Sequence, residues 1–296
     1  MIDLHAHSHY SADAESSPVA IIEAALQAGV RLLSITDHNG IDHIEPTLNA
    51  AHGKSIRLLP GLELTCACTD FAMDEIHILA HFPKVADSPW RHPALRTLLE
   101  KTTTIEAQNL VSLLDGLEIA RDSLERARQS LMASGHLAAT TRPALHLFKR
   151  CEKNLSPFPW AEMKIKRDLV IAGLRKRGQW HPFPTVAHVL QVLTTIGATP
   201  TLAHPGRYGL DSAALSALID RLTGEGLQGL EAIYLPQLAS SGVFIHMAKT
   251  KGCFITSGSD SHSIDSMLRP NYHQFIDSVV AIAESSNSQV KWTDNL

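Results

Sequence analysis

The chain has 296 residues and a mass of 32.3 kDa, room for one large barrel or two ordinary domains at roughly 150 residues per domain. Hydrophobic residues make up 44% and charged residues 19%, proportions that exclude a disordered chain, a collagen-like repeat and a coiled-coil rod. The net charge of −4 is unevenly spread: residues 142–177 hold ten Lys/Arg against Glu152, Glu162 and Asp168, a local +7 that leaves −11 for the rest.

In chain order, β-rich runs at 2–5, 31–36, 56–64, 75–80, 199–203, 227–233 and 253–257 make seven strand candidates. Helical patterns lie between them. The first, 18–29, opens on Pro18, carries Val19, Ile22 and Leu26 on one stripe and ends at Gly29. Segments 185–197, 211–224 and 238–252 follow the same plan. Strand and helix in alternation predict parallel strands joined by right-handed crossovers, hence an α/β barrel or an open doubly wound sheet. Between Pro83 and Pro184 the alternation stops. Leu95, Leu98, Leu99, Ile105, Leu110, Leu113 and Leu114 recur near a 3.6 period, and a stretch of about a hundred residues is too long for a barrel loop. The expected domains are therefore 1–85 with 184–285, and an inserted helical subdomain at 86–183, basic in its second half.

Composition points to metal chemistry. There are 17 histidines, and histidine is the commonest metal ligand. The four cysteines, Cys66, Cys68, Cys151 and Cys253, are too few for a disulfide scaffold or a four-thiolate zinc module. The opening Met-Ile-Asp-Leu-His has no basic segment before an apolar one, and no apolar run reaches the roughly 18 residues of a membrane-spanning helix. A cytoplasmic protein with no membrane partner is expected.

The ligand-type residues gather at predicted strand ends. His5, His7 and Asp13 follow the first strand, Asp37 and His38 the second, Glu63 ends the third and His77 lies in the fourth. His204 follows the fifth, Glu231 ends the sixth, and Asp260 and His262 follow the seventh. In parallel α/β folds the carboxyl ends of the strands line one mouth, where ligands bind. His-x-His on an extended segment puts both imidazoles on one side, and Asp260-x-His262 is expected to repeat that geometry. Mixed imidazole and carboxylate sets suit Zn²⁺, Mn²⁺ and Fe²⁺. His43, His52, His92, His136, His188, His246 and His273 are read as structural.

Five strings carry a resemblance: Asp-Leu-His-Ala-His-Ser (3–8), Ile-Thr-Asp-His-Asn (35–39), Pro-Gly-Leu-Glu-Leu-Thr (60–65), Leu-Ala-His-Pro-Gly-Arg-Tyr (202–208) and Ser-Gly-Ser-Asp-Ser-His (257–262). Together they resemble the polymerase and histidinol phosphatase (PHP) family of metal-dependent phosphoesterases. Within it, the His-Pro-Gly-Arg-Tyr string and the helical insertion are similar to the branch that hydrolyses nucleoside 3′,5′-bisphosphates and short oligonucleotides.

The resemblance implies a distorted (β/α)7 barrel holding two or three divalent ions, Mn²⁺, Fe²⁺ or Zn²⁺. One ion would take His5, His7, Glu63 and Asp260; a second Glu63, His77 and His204; a third Asp13, His38 and His262. Asp37 would orient a ligating histidine through its other ring nitrogen. The implied reaction is hydrolysis of a small phosphate monoester, the 3′-phosphate of a nucleoside 3′,5′-bisphosphate, by attack of metal-bound hydroxide. Arg207 would bind phosphate in bidentate fashion, with Arg142 and Lys149 as further contacts. Where the branch commonly carries Arg-x-His in the insert, the string here reads Thr-Thr-Arg142-Pro143-Ala144. Two alternatives stand beside this reading: a phosphodiesterase or exonuclease acting on short oligonucleotides or a cyclic phosphate, and a metal-bound module without turnover.

Overall fold

Two sheets organise the protein, whose structure, a computed structural model, describes residues 2–135, 160–269, 271–272 and 274–275. The first sheet pairs β1 (Ile2–Ala6), β2 (Leu32–Ile35) and β3 (Arg57–Leu58) in parallel and in that order. The second holds β4 (Gly61–Cys68), β5 (Met73–His81), β6 (Thr199–Leu202), β7 (Gly229–Tyr234) and β8 (Phe254–Gly258). β6, β7 and β8 run parallel, but β5 is antiparallel to both its neighbours.

Two expectations need correction here. Parallel pairing throughout fails at β5, because the link from β4 is one 3₁₀ turn, Thr69–Phe71, and Ala72 at φ 53°. Such a link closes a hairpin, whereas a parallel crossover needs a dozen residues or more. The strand expected over 56–64 splits in two around Pro60, which has no N–H to give to a ladder. Its second part runs on to Cys68, so Glu63 sits near the start of β4 rather than at a strand's end.

The described strands do not close into a single hydrogen-bonded ring. The sheets meet instead at two seams. At one, Asp260 donates its N–H to the His5 carbonyl at 2.7 Å and His7 donates to Ser261 at 2.8 Å, joining β1 to the residues after β8. At the other, Asn39 donates to the Glu63 carbonyl at 2.8 Å and Glu63 to that of Asp37 at 3.2 Å, joining the residues after β2 to β4. Most of the candidate ligands lie on these seams, where the ladder gives way to irregular backbone.

Helices cover the sheets as the apolar periodicity demands. α1 (Pro18–Gln27) begins at Ser17, whose Oγ accepts the Ala20 N–H at 3.2 Å, and is followed by Gly29 at φ 82°. After α2 (Ile44–Ala51), the long α3 (Pro93–Gly116) divides its apolar face. Leu95, Leu98 and Leu99 join the main core, while Leu110, Leu113 and Leu114 form a second cluster with Leu124 of α4 (Arg121–Ala133) and Met163 of α5 (Trp160–Lys176). Ala12, next to Asp13, belongs to that second cluster. α6 (Val186–Thr195), α7 (Ser212–Gly224) and α8 (Ser241–Thr250) complete the main core, α7 capped by Asp211 accepting the Ala214 N–H at 2.8 Å. A short α9 (Ile264–Met267) follows. Among the described residues, no helix is long and apolar enough to cross a membrane.

Candidate metal centre

Glu63 is the hub. Its side chain is buried, with Oε2 at 3.0 Å from His38 Nδ1, 3.3 Å from His7 Nε2 and 3.4 Å from His5 Nε2. Oε1 lies 2.8 Å from His77 Nδ1 and 3.1 Å from His204 Nε2. Asp260 Oδ1 stands 3.1 Å from His7 Nε2 and 3.5 Å from His5 Nε2. Asp13 Oδ2 stands 3.5 Å from His262 Nε2 and 3.7 Å from His38 Nε2. All nine residues read from the sequence as metal ligands thus come together, although they span residues 5 to 262. Among the described residues, three groups have ligand atoms within 4.8 Å of one another: His5, His7 and Asp260; His38, Glu63 and His77; His7, His38 and His262. The expected grouping is crossed in two places: His38 joins Glu63 and His77, turning Nδ1 to Glu63 and Nε2 toward Asp13, and His7 joins His262, while His204 and Asp13 reach the site by their contacts with Glu63 and His262.

Three of the imidazoles that face the pocket through Nε2 have the opposite nitrogen engaged, whereas His204 Nδ1 is buried without a hydrogen bond. His5 Nδ1 is 2.9 Å from Glu231 Oε1, His7 Nδ1 is 3.2 Å from Ser11 Oγ, and His262 Nδ1 is 2.9 Å from the Asp260 carbonyl. Each contact favours a proton on Nδ1 and leaves a lone pair on Nε2. Asp37 acts through serines: its carboxyl accepts from Ser8 N at 2.7 Å, Ser8 Oγ at 2.5 Å and Ser11 Oγ at 2.7 Å. Ser11 Oγ also accepts the His38 N–H at 2.9 Å, so one hydroxyl holds both His7 and His38.

Backbone strain marks the same place. His204, at φ 29° and ψ 59°, and Asp260, at φ 53°, both occupy left-handed conformations that cost a residue with a side chain on the order of 1–3 kcal/mol. The expected extended geometry for Asp260-x-His262 is therefore corrected. The turn at Asp260, rather than strand alternation, brings His262 back over the site, stacked on His7 with ring centroids 4.4 Å apart.

The charges are strongly coupled. Burial by itself would lower the His5 imidazole and raise the two carboxyls, yet the mutual field wins. Glu231, Glu63 and Asp260 hold His5 well above the ordinary histidine range. His77, despite burial, is raised to about 9 by Glu63 and Glu75, and His262 to about 9 by Asp13 and Asp260. Against burial, His77, His5 and His38 hold Glu63 well below the carboxylate range, and His5, His7 and His262 do the same for Asp260. His204 is lowered, mainly by burial.

This arrangement fits divalent cations. Glu63 Oε2 is buried without a hydrogen bond although three imidazole nitrogens stand within 3.4 Å of it. His5 Nε2 and His7 Nε2 are 3.1 Å apart, a separation that two lone pairs tolerate only with a proton or cation beside them. Among the described residues the donors gathered here are imidazoles and carboxylates and no thiolate, a set suited to divalent ions. Cys66, Cys68 and Cys253 are free and buried, as small hydrophobes.

Of the proposed phosphate contacts, Arg207 lies at the site with its side chain 55% exposed, one nitrogen 3.1 Å from Asp260 Oδ2. Arg142 and Lys149, like Ala144, lie outside the described residues. Several partners carry no mark in the sequence pattern. Ser8, Ser11 and Tyr234, which donates to Asp260 Oδ2 at 2.9 Å, are ordinary hydroxyl residues. Glu231 had a signal without an assigned role: it is the sole charged residue in the strand Gly-Leu-Glu-Ala-Ile-Tyr. His43, read as structural, is buried with Nδ1 3.4 Å from Asp37 Oδ2. His92 caps α3, and His52, His188 and His246 are exposed. His136 and His273 lie outside the described residues.

Comparison with known proteins agrees with the geometry. Residues 3–138 match the PHP domain. The chain is 27% identical over 267 residues to the 5′-3′ exoribonuclease Rnm of Escherichia coli, covering 88% of this chain and 84% of that one. It is also 27% identical over 281 residues to the 3′,5′-nucleoside bisphosphate phosphatase of Chromobacterium violaceum, covering 88% and 87%. Among solved structures, a provisionally assigned metal-dependent phosphoesterase of Bifidobacterium adolescentis superposes with a TM-score of 0.64 at 18% identity, over 94% of this chain and 96% of that one.

Proposed function

Starting from a chain that carries a PHP domain and is a metal-dependent phosphoesterase, we propose that it hydrolyses a small phosphate monoester, the 3′-phosphate of a nucleoside 3′,5′-bisphosphate. The observation that carries this reading is the convergence of five imidazole nitrogens, at 2.8–3.4 Å, on the two oxygens of Glu63. In this reading two or three divalent ions, Mn²⁺, Fe²⁺ or Zn²⁺, are held by His5, His7, Glu63 and Asp260, by Glu63, His77 and His204, and by Asp13, His38 and His262. Such ions, when bound, neutralise phosphoryl oxygens and acidify water toward neutral pH.

The chain's own residues do the rest. Glu63 is shared between ligand sets, while Asp37, through Ser11, keeps His7 and His38 aimed inward. Arg207, exposed at the rim, is the group that leaves Asp260 to grip the phosphate, with Arg142 and Lys149 as further contacts. The two seams support reading the sheets as a distorted (β/α)7 barrel of residues 1–85 and 184–285, with 86–183 as its helical insert. A cytoplasmic location belongs to the same proposal.

A second reading, cleavage of short oligonucleotides, is favoured by the basic residues exposed on and just after α5, among them Lys164, Lys176 and Arg177. The test is phosphate release by Mn²⁺-loaded protein from a nucleoside 3′,5′-bisphosphate, set against nucleotide release from a short RNA. Release of the 3′-phosphate, lost in chelator, supports the first reading. RNA cleavage without it, with binding that weakens steeply in salt, replaces it with the second.

A further inference from the structure

Glu231, on β7, is completely buried and makes two contacts of different kinds. Oε1 lies 2.9 Å from His5 Nδ1, and Oε2 accepts the backbone N–H of His204 at 2.7 Å. Opposite it, β8 ends on Gly258, where a Cβ would collide with both the Glu231 carboxyl and the His5 Cβ. The carboxyl thus occupies the space that a side chain at position 258 would need.

We propose that Glu231 is a positioning residue that couples the two main ion-binding halves of the site. It keeps the proton of His5 on Nδ1, so that Nε2 points a lone pair at His7, Glu63 and Asp260. It also anchors the left-handed His204 backbone, from which Nε2 reaches Glu63 Oε1 at 3.1 Å. The inference rests on the metal-centre reading given above.

The requirement is for two acceptor oxygens on one side chain. A glutamine at this position has one acceptor, and its NH₂ then faces either the His5 Nδ1–H or the His204 N–H, donor against donor. An aspartate, one methylene shorter, cannot span both. Losing either bond loosens one half; losing the shared anchor disturbs both together.

The test uses the 296-residue chain, titrated with Mn²⁺ by calorimetry as wild type and as Glu231→Ala, which removes both acceptor oxygens. The expected result is a loss of affinity of roughly 10–100-fold for the two ions held by the His5 and His204 halves, with the Asp13–His38–His262 corner unchanged. Unchanged affinity in Glu231→Ala, or weakening of one of the two ions by itself, overturns the proposal while leaving the metal centre standing. Absence of Mn²⁺ binding to wild type overturns both. Should the variant fail to fold, ¹⁵N spectra of zinc-loaded wild type decide: His5 must carry its proton on Nδ1 and bind zinc through Nε2, and the reverse assignment rejects the idea.

Discussion

His5 Nε2 lies 3.1 Å from His7 Nε2, with Glu63 Oε2 3.4 Å and Asp260 Oδ1 3.5 Å from the same His5 nitrogen. Protons and divalent ions therefore compete for one pocket, and stability must depend on which is present. His5, His77 and His262 have folded-state affinities for protons above the ordinary histidine value of 6.5, the last two at about 9. A raised histidine contributes stability that is complete below its unfolded value and lost as pH climbs through its folded one. The Tm of chelator-treated protein is expected to fall between pH 6.5 and 9. Added Mn²⁺ or Zn²⁺ should reverse that trend, because the ion displaces those protons. A Tm in chelator that stays level or rises over this range contradicts the assigned couplings.

Acidification acts through the carboxyls. Glu63 and Asp260, held well below their usual range by surrounding imidazoles, contribute stability that is present above the unfolded carboxylate values and lost as pH falls. His81, fully buried and lowered to about 4 by that burial, opposes acid in the same sense. Chelator-treated protein is expected to unfold on the acid side in a step that Asp260→Asn shifts, followed by circular dichroism against pH.

Asp260→Ala removes a carboxylate that faces His5 and His7 with one oxygen and Tyr234 and Arg207 with the other. Phosphate release is expected to fall by more than the roughly 100-fold typical of losing a residue that merely supports a ligand. Metal content, measured by elemental analysis, should drop with it. Arg207→Ala is expected to raise KM with metal content unchanged, since Arg207 touches the site from its exposed rim. A loss of bound metal in Arg207→Ala would show that this arginine serves Asp260 instead of phosphate.

Gly258→Ala adds one methyl group where the Glu231 carboxyl and the His5 Cβ already sit. Overpacking of this kind costs about 1–3 kcal/mol, and here the displaced atoms belong to the site. Thermal unfolding and metal content are expected to fall together. A variant with wild-type values in both would mean that the space around Gly258 yields freely.

The helical cluster reaches the site through Ala12, which packs with Leu110, Leu113, Leu114, Leu124 and Met163 beside Asp13. Leu113 is 1% exposed, and Leu113→Ala is expected to cost about 2–5 kcal/mol in denaturant unfolding. It should also weaken ion binding at the Asp13–His38–His262 corner more than at the Asp260 side. Equal weakening everywhere would separate the helices from that corner.

By itself, the sequence determined what depends on nearby residues. Ser17 and Asp211 with their following apolar stripes specify α1 and α7, and the His5-x-His7 spacing where β1 ends does place two imidazoles together. The nine ligand-type residues were legible because imidazoles and carboxylates within or just after β-rich runs are chemically conspicuous. The reversal of β5 was hidden, since periodicity reports which face is buried and not which way a strand runs. Tertiary structure decided the rest through contacts that no local pattern encodes. Glu231 meets His5 across 226 positions of sequence, Ser11 becomes a link between Asp37 and His7 only when the loops after β1 and β2 converge, and the left-handed turn at Asp260 is held by its hydrogen bond to the His5 carbonyl. Such bonds are made between ordinary side chains and backbone groups whose partners are chosen by the packing of the sheets.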